Sequence, residues 1–277
     1  MLPPLHPASP LFWTFIVLTL AVVLAAVSLP RLLTALAGLP DFTVRGKAGK
    51  PVAERRPMTR FTKVMLLILG GILVLALVLM LTGVPLFHSA RYRDLLKTET
   101  GDFTADVAEL SMNQIPVVDR DTAKQLGKRK LGEMADLVSQ FEIAENYTQI
   151  NLNNRPVRVT PLVYGDVIKW FNNHKQGLPA YIQVDMVTQD TKLVRLEQGM
   201  KYSPSELFLR NIGRYARFQY PTKMFDENFS FEVDDSGTPY WIVSTVTYRI
   251  GMWGGRDVEG AILINAVTGG HQYYPVD

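Results

Sequence analysis

The chain of 277 residues contains no cysteine. It can therefore form neither a disulfide framework nor a thiolate metal site, and it has no cysteine nucleophile. Charged residues are also scarce, at 20%, and the mean hydropathy is +0.07 although the sequence pI is near 9.0. A positive mean hydropathy with so few charges is unusual for a soluble protein and points to long apolar segments.

Histidine is scarce as well. The four histidines are His6, His88, His174 and His271. Their spacing is not that of metal ligands, and no serine lies in the G-x-S-x-G pattern of a hydrolase. Asp119 and Asp121 form a D-x-D pair with two interpretations: a divalent-metal site, or the N-cap and first-turn acid of a helix, which we favour. The sequence thus predicts no cofactor, metal site or catalytic residue. An enzyme with an unrecognised active site is the second alternative to the function given at the end of this subsection.

Two runs without any charged residue dominate the first 87 residues. They are residues 11–29 and 64–87, and each is long enough as a helix to cross the roughly 30 Å hydrocarbon core of a bilayer. A cleaved signal peptide is the alternative for the first run. Such a peptide needs a positively charged start, but residues 1–10, which precede the run, contain no Lys or Arg. We therefore expect residues 1–87 to form a membrane anchor of two transmembrane helices. Neither run holds the ionisable residues that mark ion or proton pathways.

The segment between the runs, residues 41–63, is strongly basic. Its positive residues are Arg45, Lys47, Lys50, Arg55, Arg56, Arg60 and Lys63. Short basic loops stay on the cytoplasmic side, so this pattern predicts a multi-pass protein of the cell membrane with its N-terminus and C-terminal domain extracytoplasmic. The seven side chains are expected to contact headgroups of the lipid bilayer. We expect no nucleic acid as a partner, because the loop lacks interleaved aromatic residues.

The rest of the chain has the mixed composition of a folded domain. Residues 1–64 carry a net charge of +6 and the remaining residues −3, so the basic excess belongs to the N-terminal region. We expect residues 88–137 to form a stalk and helical connector, and residues 138–277 an α+β extracytoplasmic domain. Its pattern predicts antiparallel hairpins with packed helices, including a two-residue turn at Asn153 and Asn154.

One helix has a complete start signal. Ser203, Pro204, Ser205 and Glu206 have the residue types of N-cap, N1, N2 and N3 in a capping box. We expect this helix to run from Ser203 to about Phe218.

Two segments about sixty residues apart have similar sequences where a turn leads into a predicted strand, and we call this weak similarity the internal echo. The matched positions are Gly177, Pro179, Tyr181, Ile182 and Val184 with Gly237, Pro239, Trp241, Ile242 and Ser244. A related turn-then-proline entry occurs at Asn154 and Pro156. The echo predicts two related helix-plus-hairpin units.

The C-terminal third combines an aromatic strand, residues 239–243 (PYWIV), with a small-residue turn at the end of residues 260–269 (GAILINAVTG). These two stretches resemble a PepSY-type repeat, and residues 185–188 (DMVT) resemble a second copy. Asn265 replaces the usual aspartate, and Gln189 stands where glycine is expected. The resemblance implies two PepSY-like units that act as an extracytoplasmic binding or inhibitory module, and it carries over no catalytic residue.

One turn is the candidate site of partner contact. Trp253 lies beside two glycines and between Met252 and Arg256, a composition that is costly to expose without a partner. We expect a membrane-anchored extracytoplasmic binding or regulatory module without catalysis of its own. Its expected partner is another envelope or membrane protein. The alternative is a structural or assembly subunit of a cell-envelope membrane complex.

Overall fold

The computed structural model describes residues 2–36, 60–96, 98–107 and 115–276. The helices are α1 (Pro10–Leu36), α2 (Arg60–Leu81), α3 (Pro85–Asp94), α4 (Phe103–Asp106), α5 (Arg120–Gly132), α6 (Val167–Asn173) and α7 (Ile212–Gln219), with a 3₁₀ helix at Phe208–Arg210. The strands are β1 (Phe141–Ile143), β2 (Thr148–Leu152), β3 (Arg155–Tyr164), β4 (Leu178–Asp185), β5 (Thr191–Met200), β6 (Met224–Val233), β7 (Pro239–Ile250), β8 (Gly254–Asn265) and β9 (His271–Pro275).

These elements form two compact units. The described residues of 5–95 and 248–256 make up one, which we call the helical unit. Residues 2–4 and the described residues of 96–247 and 257–276 make up the other, which we call the sheet unit.

The prediction of two transmembrane helices, at 11–29 and 64–87, is wrong. Among the described residues, no single helix is both long enough and apolar enough to cross a membrane. In α1 the apolar segment Pro10–Ala26 is too short to cross a membrane. Leu66–Leu81 and Pro85–Asp94 meet the length and composition criteria only as a pair, and this pair is bent by 50°.

The second apolar run is interrupted because its last residues are turn formers. α2 ends at Leu81, and the N–H groups of Thr82 and Gly83 close tight turns onto the carbonyls of Leu79 and Met80, each at 3.2 Å. Pro85 then begins α3, where its missing N–H costs no helical hydrogen bond. The prediction of one helix over residues 64–87 rested on hydropathy and did not take this break into account.

The sheet unit is an α+β fold with two antiparallel sheets. In the first the strand order is β1-β3-β4-β5, with β2 also paired to β3. In the second it is β6-β7-β8-β9. The turn between β2 and β3 is Asn153–Asn154, with φ of 51° and 61°, so the predicted hairpin is confirmed.

The core of the sheet unit comes from alternate residues of the central strands. In β4, Ala180, Ile182 and Val184 are fully buried, and in β8 Ile262 and Ile264 are too. Side chains of a strand alternate between its two faces, so each strand supplies one side of the core.

The helix predicted from Ser203 begins later, at Ile212. Asn211 is its N-cap and accepts from the N–H of Arg214 at 3.3 Å. The Ser203 hydroxyl does accept from the N–H of Glu206 at 3.2 Å, as in a capping box. The helix does not follow there, because the Glu206 side chain is engaged by more distant parts of the fold.

Candidate functional site

The turn after β4, residues 185–190, is held by an aspartate, and we call it the first turn. The Oδ1 atom of Asp185 accepts from the backbone N–H groups of Val187 and Thr188, both at 2.9 Å. Burial opposes ionisation of Asp185, but these hydrogen bonds outweigh it and hold the pKa of the carboxyl below its ordinary 3.8. Gln189 completes the turn with a positive φ of 65°.

The turn after β8, residues 265–270, has the same hydrogen bonds, and we call it the second turn. Here Oδ1 of Asn265 accepts from the N–H groups of Val267 and Thr268, again at 2.9 Å. Gly269 has a φ of 79° at the position of Gln189. An amide therefore replaces the carboxylate without changing the turn.

Neighbouring backbone contacts extend the match between the two turns. The N–H of Met186 donates to the carbonyl of Pro156, and the N–H of Ala266 donates to that of Pro239, each at 3.0 Å. Strand β3 therefore corresponds to β7, and β4 corresponds to β8.

Equivalent carbonyl groups next to the two turns each accept two backbone hydrogen bonds from a preceding segment of the chain. The Met186 carbonyl accepts from the N–H groups of residues 117 and 118, and the Ala266 carbonyl accepts from those of residues 201 and 202. The sheet unit thus contains two halves with the same arrangement of strands and turns: a first half, described over residues 115–200, and a second half, residues 201–247 and 257–276.

A cleft of about 380 Å³ lies between the two halves. The first half lines it with residues 144–146 and with Pro161 and Val163 of β3. The second half lines it with residues 211–213 and with side chains of β6 and β7. Ligand pockets in proteins are typically about 300–1,000 Å³, so this volume suits a small ligand or a few residues of a chain.

Aromatic rings form the floor of the cleft and amide side chains stand among its other lining residues. Phe229, Phe231 and Trp241 supply the rings, and the Phe231 and Trp241 centroids are 5.3 Å apart in an edge-to-face arrangement. The amides are Asn146, Asn211 and Asn228. An apolar floor with a few hydrogen-bonding groups is the usual composition of a binding site.

Glu145 is the one ionisable side chain among the lining residues of the cleft. It pairs with Lys124 at 2.6 Å, and this hydrogen bond holds the pKa of Glu145 below its ordinary 4.5. The lining therefore offers no cation to bind an anionic ligand. It also lacks the nucleophile and base that acyl transfer or hydrolysis requires.

Strand β6 gives the cleft an edge of backbone groups. β6 lies at the end of its sheet, where β7 is its one paired strand among the described residues, and β2 and β3 of the first sheet lie close to it. Its register with β7 shifts between Phe225 and Phe229, which is a β-bulge beside the cleft. An edge strand presents N–H and C=O groups on its outer side, where an extended chain can pair with them.

The residue that misled the helix prediction is buried next to this site. Glu206 is 1% exposed, and its two carboxyl oxygens accept from the Tyr164 hydroxyl at 2.7 Å and from the Trp170 indole N–H at 2.8 Å. Burial, together with the hydrogen bond to Glu206, raises the pKa of Tyr164 well above its ordinary 10.0. This cluster ties β3 and α6 to the loop that carries Pro204 into the cleft.

The predicted partner-contact residues lie in the helical unit: Met252 and Trp253 between β7 and β8, and Arg256 near the start of β8. The N–H of Met252 donates to the Thr82 hydroxyl at 3.3 Å. The Tyr92 hydroxyl accepts from the N–H of Gly255 at 3.0 Å. These contacts fasten the turn to the chain around the break between α2 and α3.

Trp253 is half-buried among apolar side chains of its own unit. It lines a small cavity with Trp13 of α1 and with residues of α2 that include Ile72 and Leu79. Its indole Nε1 is buried and has no hydrogen-bond partner among the described residues. Arg256 is exposed. Contact of this turn with another protein stays a prediction.

Most of the predicted lipid-contact residues lie outside the described residues. These are Arg45, Lys47, Lys50, Arg55 and Arg56. Arg60 and Lys63 lie in the first turn of α2 and are exposed. Lipid contact by these side chains stays a prediction.

Comparison of the chain with protein-family models, with curated proteins and with solved structures found no match.

Sequence reasoning missed the cleft. Its lining residues come from separate parts of the chain, among them residues 144–146 and 211–213 and strands β3, β6 and β7, and no local pattern joins them. A weak signal was present: Asn146, Asn211 and Asn228 each fall at the boundary or the bulge of an element, where asparagine is common for local reasons.

Proposed function

We propose that the sheet unit is a binding module without catalysis of its own, and that its cleft takes an extended peptide segment of a partner protein. The observation that carries the proposal is the cleft itself: an aromatic floor with amide groups, beside the unpaired edge of β6.

The shape and the edge strand favour a peptide. An extended segment can add to an edge strand by main-chain hydrogen bonds while alternate side chains enter a neighbouring pocket. The β6 edge supplies the hydrogen bonds, and the rings of Phe229, Phe231 and Trp241 supply the pocket. We therefore expect an aromatic or branched side chain as the anchor.

The charge of the cleft favours a neutral ligand. Glu145 is already paired with Lys124, and among the described residues no Lys or Arg lines the cleft. A peptide group both donates and accepts a hydrogen bond, as the asparagine amides do. The PepSY resemblance, which implies a binding or inhibitory module, supports the same interpretation.

The test uses the full-length chain and a displayed library of random heptapeptides. Selected peptides are synthesised, and their binding is measured by calorimetry with wild type and with two tryptophan variants. Val163→Trp fills the cleft from β3. Val138→Trp is the matched control, because Val138 is 47% exposed and does not line the cleft.

We expect the selected peptides to share an aromatic or branched residue. Val163→Trp should weaken their binding at least about tenfold, equivalent to about 1.4 kcal/mol, whereas Val138→Trp should leave it within about twofold. The proposal fails if no peptide is enriched, or if the enriched peptides bind the Val163→Trp variant as tightly as wild type.

A further inference from the structure

A second surface, separate from the cleft, carries exposed apolar side chains from α6 and the 3₁₀ helix. These side chains, which we call the apolar patch, are Val167, Ile168, Phe171, Phe208 and Leu209, each at least 64% exposed. The two segments are neighbours: the Phe208 ring lies 6.1 Å from that of Trp170, and Arg210 donates to the His174 carbonyl at 2.8 Å. Monomeric proteins rarely gather so many large apolar side chains on one surface without a binding role.

Phe208 is also strained. Its φ is 52°, a left-handed conformation that is an outlier for a bulky side chain and easy for glycine. The side chain is 68% exposed, so its burial contributes little free energy to offset this strain. Strain at an exposed aromatic residue points to binding rather than to folding.

Positive residues lie close to the apolar patch along the chain: Lys175 follows α6, Arg210 ends the 3₁₀ helix, and Arg214 is in α7, which contacts the 3₁₀ helix. Lys175 and Arg214 are exposed, and Arg210 is half-exposed. The nearby carboxylate of Asp166 is paired with Lys169 at 3.3 Å. A complementary surface therefore carries apolar side chains among acidic ones.

Residues 98–107 of the same sequence have this composition. They include Glu99, Asp102 and Asp106 and no Lys or Arg. Phe103 and Val107 are 77% and 48% exposed, and they stand at the two ends of α4, where the Val107 N–H donates to the Phe103 carbonyl. The segment thus matches the apolar patch in both charge and apolar character.

We propose that the apolar patch of one copy binds residues 99–107 of a second copy. The apolar side chains of Phe103 and Val107 cover Phe171 and Phe208, and the acids of the segment face Lys175 and Arg214. This interaction does not depend on the peptide cleft.

The absence of cysteine allows a direct test by disulfide crosslinking. Full-length Phe103→Cys and Phe208→Cys chains are mixed and oxidised, and the products are mapped by mass spectrometry. We expect a 103–208 disulfide between copies. Phe218→Cys replaces Phe208→Cys in the control, since Phe218 is 56% exposed on α7, outside the apolar patch, and should crosslink at least about tenfold less.

Charge reversal provides the second arm. Lys175→Glu with Arg214→Glu in the Phe208→Cys copy, or Glu99→Lys with Asp106→Lys in the Phe103→Cys copy, should each slow crosslinking about tenfold, and mixing the two reversed copies should restore it. Phe208→Gly should reduce dimer formation without lowering the melting temperature, since it removes the strain. Selected heptapeptides should bind this variant as they bind wild type.

Three outcomes would overturn the proposal. One is equal crosslinking at positions 208 and 218. Another is failure of the paired charge reversals to restore crosslinking. The third is a Phe103→Cys/Phe208→Cys double variant that forms its disulfide only within one copy at every protein concentration.

Discussion

Removing the Asp185 side chain should loosen the first turn by an amount that its geometry sets. Asp185 is 14% exposed at the side chain, and its Oδ1 holds the N–H groups of Val187 and Thr188 at 2.9 Å. Each such hydrogen bond contributes about 0.5–1.5 kcal/mol, and more when the acceptor is charged. Thr188 is exposed, so water replaces part of the loss in Asp185→Ala. We expect this variant to lose about 1–2 kcal/mol.

Asp185→Asn should lose much less, because Asn265 holds the second turn with the same two bonds. The remaining difference is the charge. The folded pKa of Asp185 lies below its ordinary 3.8, so the stability from its ionised form is present above that value and disappears as the pH falls through the folded pKa. The gap between wild type and Asp185→Asn should therefore close in acid.

Guanidinium unfolding measures the free energies, and hydrogen exchange measures the Val187 and Thr188 amides directly. Exchange at these amides should speed up in Asp185→Ala and stay near wild type in Asp185→Asn. If Asp185→Asn is as destabilised as Asp185→Ala at neutral pH, or if exchange is unchanged in Asp185→Ala, the turn is not held by this oxygen.

Three further variants test separate contacts. Gln189→Gly should raise the unfolding free energy by about 0.5–1 kcal/mol, since the φ of 65° suits glycine; a loss of stability in urea unfolding would contradict this. Tyr164→Phe should cost about 1–3 kcal/mol because it leaves one buried oxygen of Glu206 without its donor, and a thermal melt equal to wild type would refute the buried cluster. Gly254→Ala should disrupt the helical unit, because the added Cβ would lie 2.6 Å from the Gly83 carbonyl oxygen; unchanged near-ultraviolet circular dichroism would show that the close approach is not required.

Local patterns predicted the elements whose causes are local. Asp119 accepts from the N–H of Thr122 at 2.7 Å and caps α5, which confirms the N-cap interpretation of the D-x-D pair. Trp241 occupies a buried position in the alternating pattern of β7 and is 4% exposed. The local hydrogen bond of Asp119 and the alternating pattern of β7 both depend on residues that are close together in the sequence.

Prediction failed where distant contacts decide. Glu206 has the residue type of a capping box, but its carboxyl binds Tyr164 and Trp170, which lie 42 and 36 residues earlier. The helix consequently starts at Ile212, with Asn211 as its N-cap. Likewise, the prediction of one helix over residues 64–87 did not take into account Gly83 and Pro85, which lie at the break between α2 and α3.

The internal echo was placed on the wrong strands. Sequence similarity matched Pro179 with Pro239, whereas the hydrogen bonds make Pro156 the equivalent of Pro239. The similarity of residues 185–188 to the stretch from Asn265 did fall on equivalent turns. Hydrogen bonds across the sheet, which the sequence does not display, decide the correspondence.

Hydrogen exchange of the β6 amides, with and without a selected heptapeptide, tests the central proposal most directly. Pairing of the peptide with the β6 edge should slow exchange at the outward-facing amides of residues 225–231, and Val163→Trp should abolish this protection. If the peptide protects α6 and the 3₁₀ helix instead, or leaves β6 unchanged, the cleft is not its binding site.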